Sequence, residues 1–156
     1  MKIIFLSFSL MLWSFMPSMS QQASEKKELL QVVQQFFDAL EKQDTLAWNK
    51  IFLKDARNFY LVERDDSIRT GMQDPFSFRS KPGEIIKERM RDSDVTVQVH
   101  QNIAAVWAPY DLWINDTYSH CGVDVFTLLK SSEGWKIASL SFTMEKEGCG
   151  NIPQKK

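Results

Sequence analysis

Hydrophobic positions change period along this chain, and the change separates a helical front half from a stranded back half. Between Glu25 and Gln43 the apolar residues Leu29, Val33, Phe36 and Leu40 recur at the helical period, with Leu30, Val32 and Phe37 widening the stripe. A stripe so broad needs a large partner surface. Asp44 is suited to cap a second, short helix carrying Leu46, Trp48, Ile51 and Phe52. Asn58 to Arg64 then has the composition of a strand, and Asp65-Asp66 turns the chain into a weaker strand ending near Gly71. After a loop from Gln73 to Lys81, Ser80 and Pro82 open what the spacing of Ile85, Ile86 and Met90 predicts to be a third helix ending at Arg91.

From Val95 to Met144 the pattern is that of four successive strands. Gln101-Asn102, Asn115-Asp116 and the four residues Ser131 to Gly134 are turn compositions between β-branched and aromatic runs. A two-residue turn at Gln101-Asn102 sets Val95, Val97 and Val99 on one face with Ala104, Val106 and Ala108, the face that helix should cover. Pro109 interrupts the second of these strands and implies a bulge or an edge. The expected architecture is therefore α+β, with about six strands in a strongly curved antiparallel sheet and the order α-α-β-β-α-β-β-β-β.

With 156 residues, 44% of them hydrophobic, the chain suffices for one domain with a substantial core. Its net charge of -1 argues against nucleic acid or an anionic membrane as a partner, since both call for a concentrated basic surface. Lys2, the apolar run Ile3 to Met16 and the sequence Pro17-Ser18-Met19-Ser20 have the three parts of a secretory signal peptide. The run falls short of the roughly 20 residues of a membrane helix. The chain thus divides into a signal segment, 1–20, and a domain, 21–156, expected to be periplasmic or secreted and free of the membrane after cleavage.

Export changes how the two cysteines are read. Cys121 and Cys149 form an even pair in an oxidising setting, so a disulfide is expected. Extending the last two strands across the turn at Ser131 to Gly134 sets Cys121 beside Met144, and Cys149 reaches it only if the chain doubles back after Glu145. No metal site is expected, because the cysteines and the histidines His100 and His120 lack ligand spacing. There is no nucleophile motif or phosphate-cradling glycine loop, and no cofactor is implied.

Tyr110-Asp111, Ser119 to Phe126, Gly134-Trp135-Lys136-Ile137 and Glu147-Gly148-Cys149, taken with the element order, resemble the nuclear transport factor 2-like superfamily and, within it, the putative lumazine-binding, SnoaL-like subgroup of exported proteins. The resemblance implies a cone in which a curved sheet wraps around helices and encloses a pocket. It identifies a fold and a subgroup but no settled reaction. The final strand carries Phe142-Thr143-Met144-Glu145 where the subgroup tends to be more basic, which withdraws support for an anionic ligand.

Candidate chemistry centres on His120, Asp111 and Asp124. A two-residue turn at Asn115-Asp116 places Asp111 directly opposite His120, within about 5 Å at Cβ, where the carboxylate would orient the imidazole as a general base. Asp124 lies in mid-strand, either on a solvated face or held in a pocket opposite Ser141. Trp107, Trp113, Tyr118 and Phe126 are expected to share one face, as a dimer interface in preference to a ligand wall. The residues expected to contact a ligand are Tyr60, Trp107, Tyr110, Trp113 and Asp124. The leading expectation is an exported domain that binds a small, mostly apolar or aromatic molecule and forms a homodimer through its sheet. The alternatives are an isomerase, dehydratase or cyclase using a histidine and an aspartate, and a dimeric interaction module without a ligand.

Overall fold

The broad apolar stripe forms the buried side of the first helix, α1 (Met19–Lys42), in the computed structural model, which describes residues 19–64, 67–77 and 80–150. Leu29 and Val33 are fully buried, and Phe36 and Phe37 nearly so. The signal segment expected at 1–20 lies almost wholly outside the described residues. Asp44 caps α2 (Thr45–Ile51) as its residue type suggests, its carboxylate accepting from the Leu46 and Ala47 amides at 3.1 and 3.0 Å.

Most of the remaining described residues form a seven-stranded sheet. Its strands are β1 (Phe52–Arg64), β2 (Ser67–Gln73), β3 (Ile86–Met90), β4 (Thr96–His100), β5 (Ile103–Ile114), β6 (Thr117–Ser131) and β7 (Gly134–Met144). The order across it is β2-β1-β7-β6-β5-β3, and β4 also pairs with β5. All neighbours are antiparallel except β1 and β7, which run parallel. The long strands curl around α1, whose Phe36 and Phe37 meet Phe126 of β6 edge to face at 5.2 and 6.3 Å.

The expected third helix is not formed. Lys81-Pro82-Gly83-Glu84 makes a turn, closed by the Glu84 amide on the Lys81 carbonyl at 2.9 Å and using a positive φ at Gly83, and Ile86–Met90 is the strand β3. The physical reason lies in the alternation Ile86, Glu88, Met90. A charged residue occupies the most buried position of the strand, so the apolar pattern looks broken and the spacing from Ile86 to Met90 imitates a helical turn.

Two bulges set the side-chain directions of the central strands. At Asn115-Asp116, with both φ angles positive, Ile114 pairs with Thr117 and Trp113 with Tyr118, as the two-residue turn requires. Ser119 is then extra, and from Leu112 opposite His120 onward every pair is displaced by one. Ala138 is extra in β7, so Asp124 faces Phe142 in place of the expected Ser141, and Cys121 bridges to Glu145 in place of Met144. Pro109 causes no shift. It sits where the neighbour of β5 changes from β4, which pairs as far as Trp107, to β3, which pairs from Tyr110.

Cys121 and Cys149 are joined, with Cα atoms 5.6 Å apart. The chain doubles back after Glu145 and uses a positive φ at Gly148.

Candidate functional site

The face of β5 and β6 turned toward the helices carries Ala108, Tyr110 and Leu112 on one strand and His120, Gly122 and Asp124 on the other. Gly122 is needed here. A Cβ on it would come within 2.2 Å of the Thr143 carbonyl and 2.8 Å of the Tyr110 ring, which lies across it. The Tyr110 hydroxyl donates to that same carbonyl at 2.6 Å, and burial pushes its ionisation far above the ordinary range.

Beyond the aromatic packing of Phe36 and Phe126, the interior of the cone opens into a cavity of about 240 Å³. Its walls are mostly apolar, with Phe36, Leu40, Leu112, Leu140, Phe142 and Met144 among them. Into it face Asn58 of β1, Glu88 of β3, and His120 and Asp124 of β6. Trp48 lines this cavity and also a larger outer one of about 680 Å³ beside α2.

Glu88 and Asp124 are buried, 6% and 2% exposed, and their side chains are hydrogen-bonded to each other. Two carboxyl groups in contact away from water cannot both ionise cheaply. Desolvation raises the Glu88 pKa from 4.5 to about 7, and desolvation together with the neighbouring Glu88 raises that of Asp124 well above its usual range. The pair therefore holds a proton at neutral pH, and one carboxyl can donate while the other accepts. His120 is shifted the other way, its pKa lowered by burial and by Lys146, which favours the neutral imidazole. Its Nδ1 meets the Ser119 hydroxyl at 2.9 Å, and its ring stands edge-on to Tyr110 at 5.9 Å.

Asp111 is not part of this group. The bulge at Ser119 pairs it with Cys121, so it points to the opposite face of the sheet from His120, and the expected Asp-His contact has no geometry. Asp111 instead takes a bidentate ion pair from Arg91 at 2.8 and 2.6 Å and a weaker hydrogen bond from the Tyr118 hydroxyl at 3.3 Å. The same guanidinium donates to the Cys149 carbonyl at 2.7 Å, which ties the disulfide-linked tail to the sheet.

Of the expected ligand contacts, Tyr110 and Asp124 line the cavity. Trp107 and Trp113 stand on the outer face with Asp111, Trp107 half exposed and Trp113 against Tyr118 at 5.7 Å. Phe126, expected beside them, is fully buried on the inner face. Tyr60 packs against Phe142 at 6.2 Å and lies across Gly71. Glu88 and Asn58 were not anticipated. Glu88 falls at the inward position of an otherwise apolar alternation, and Asn58 falls one residue before the run Phe59 to Val62 that marks β1. No cluster of metal-ligating side chains occurs among the described residues.

Residues 24–143 match a family model described as putative lumazine-binding. No curated protein matches the chain in sequence. Solved structures with the same fold include a Mycobacterium tuberculosis protein of unknown function, 14% identical over 85% of this chain and 78% of its own, with a TM-score of 0.62. A nuclear transport factor 2-like superfamily protein from Salmonella enterica is 14% identical over 85% of this chain and 99% of its own, with a TM-score of 0.60. A protein described as a putative dehydratase of the NTF2-like family, from Streptomyces avermitilis, is 13% identical over 79% and 97%, with a TM-score of 0.58.

Proposed function

Because this chain belongs to the putative lumazine-binding family, with the nuclear transport factor 2-like fold, we propose that its cone is the binding site of a small, mostly apolar molecule held among Leu112, Leu140 and Phe142. The observation that carries the reading is the Glu88–Asp124 pair. Burying two carboxyl groups costs the fold stability, and a purely structural interior would be expected to fill those positions with apolar residues. A volume of about 240 Å³ is roughly that of eight water molecules, the scale of one or two fused rings.

Turnover is a second reading, favoured by one specific observation. The proton-holding carboxyl pair and the neutral imidazole of His120 line the same cavity, which are the acid and base that an isomerase, dehydratase or cyclase requires. In that reading one of Asp124, Glu88 and His120 takes a proton from the ligand and another of them returns one elsewhere on it, and Asp111 takes no part. Loss of turnover with retained binding in His120→Ala would support it.

The domain is read as exported, periplasmic or secreted, supported by the disulfide and by the signal-like composition of 1–20. No helix among the described residues is long and apolar enough to cross a membrane. The outer sheet face is read as a homodimer contact. Met72, Phe59, Ser141, Val125 and Trp107 form one row across five strands, and Met72, Phe59 and Trp107 are exposed. Trp107→Glu should then leave monomers in light scattering.

The binding reading is tested by mass spectrometry of small molecules released from natively purified protein. A compound present with the wild type and missing from Leu112→Trp, which fills the cavity, is the expected result. The same compounds at the same yield from both would overturn it.

A further inference from the structure

The polar groups facing the cone are unbalanced in a way that specifies what enters it. This inference rests on the cone being a binding site and adds the chemical class of the ligand. Asn58 is 3% exposed, and its Oδ1 has no hydrogen-bond partner among the described residues although it faces the cavity. Asp124 Oδ2 is likewise buried and has no hydrogen-bond partner among the described residues, so the contact with Glu88 leaves this oxygen free. Both groups are acceptors awaiting a donor, and an unsatisfied buried acceptor is costly.

Among the described residues the cavity offers no compensating Lys or Arg in its lining. Arg91 is held on the other face by Asp111, Arg89 is paired with Glu41, and Lys146 lies outside the lining. The Tyr110 hydroxyl is already committed to the Thr143 carbonyl. The titratable groups facing the acidic pair are Tyr110 on β5 and His120 on β6, while β1, β2, β7 and α1 contribute only uncharged residues such as Asn58, Gln73, Met144 and Phe36. A carboxylate or phosphate would enter without a counterion and meet two carboxyl groups.

We propose that the cone binds a flat nitrogen base, an amidine or amino-heterocycle, whose N–H groups donate to Asp124 and Asn58 while its ring lies among Leu112, Leu140 and Phe142. The pair with its shared proton carries one negative charge, which the protonated base balances: the ligand's N–H groups donate to the free Asp124 oxygen while that proton stays between the carboxyls, and the apolar walls strengthen the charge-assisted hydrogen bond by excluding water.

The test is calorimetric titration at neutral pH with four compounds of one shape: naphthamidine, naphthamide, naphthoate and naphthalene. Naphthamidine should bind about ten-fold more tightly than naphthamide, the gain expected from a charged over a neutral donor, and naphthoate should not bind. Asp124→Asn should abolish the preference for the amidine over naphthamide. Naphthoate, naphthamide or naphthalene binding as tightly as naphthamidine would overturn the ligand class and leave the cone reading standing. An amidine preference that survives in Asp124→Asn would overturn the assignment to this carboxyl. Failure of all four to bind the wild type would overturn both the ligand class and the cone reading, and the wild-type series decides this even where the variant does not fold.

Discussion

Glu88 of β3 and Asp124 of β6 are hydrogen-bonded to each other although β5 runs between their strands. The curl of the sheet makes this contact. Its cost depends on pH, and the sign follows from the proton count. Between pH 4.5 and about 7 the unfolded chain has released the Glu88 proton while the folded chain retains it, so stability falls as pH rises through that window. His120 works in the opposite direction, since its lowered pKa removes stability as pH drops below 6.5. The comparison is therefore wild type against Glu88→Gln. The variant's urea midpoint should gain on the wild type's as pH rises across the window, and parallel curves would mean that the pair is not desolvated.

Asp111 and His120 should be energetically independent. With Asp111 1% exposed and its partner Arg91 partly buried, Asp111→Ala is expected to cost about 3–5 kcal/mol by leaving the guanidinium unpaired. His120→Ala acts on the other face of the sheet. A double-mutant cycle should give a coupling within about 0.5 kcal/mol of zero, whereas a coupling above about 1 kcal/mol would place the two side chains in contact.

Phe36 joins α1 to the sheet and borders the cavity. Its ring meets Phe37, Trp48, Phe52 and Phe126 at centroid distances between 5.0 and 6.2 Å. Phe36→Ala should cost about 3–5 kcal/mol in chemical denaturation. A loss under about 1 kcal/mol would mean that this end of the cone is loosely packed.

Much of the frame was legible because it rests on local chemistry. The α1 stripe, the Asp44 cap and the turns at Gln101-Asn102 and Asn115-Asp116 each depend on a few adjacent residues. The candidate site was legible only in part. Asp124 and Tyr110 could be named, but nothing in Ser119 or Ala138 announces a bulge, and one extra residue reverses the face of everything beyond it. That is why His120 was paired with Asp111 and why Phe126 was grouped with Trp107. Glu88 escaped for a related reason. A buried carboxyl contradicts the apolar alternation by which a strand is recognised, so the feature that gives the site its chemistry also disguised the strand that carries it. The parallel pairing of β1 with β7 joins distant segments and has no local signature.

The disulfide closes a separation of 28 residues and holds the tail from Glu145 to Cys149 against β6 and Arg91. Cys121→Ser with Cys149→Ser should lower stability by on the order of 3 kcal/mol. It should also speed amide exchange in the tail while the cavity-facing part of β5 keeps its protection. Two free thiols per chain, counted without reductant in protein from an oxidising compartment, would contradict the bond.

The most direct measurement of where a small molecule sits is a set of nuclear Overhauser contacts between bound naphthamidine and methyl-labelled protein. The sheet offers two apolar surfaces, the cone interior with Leu112, Leu140 and Met144, and the outer face with Leu61, Met72 and Val125. Contacts from the naphthalene protons to the methyl groups of Leu112, Leu140 and Met144 are the predicted result. Contacts confined to Leu61, Met72 and Val125, or no contacts at all, would contradict the cone as the binding site.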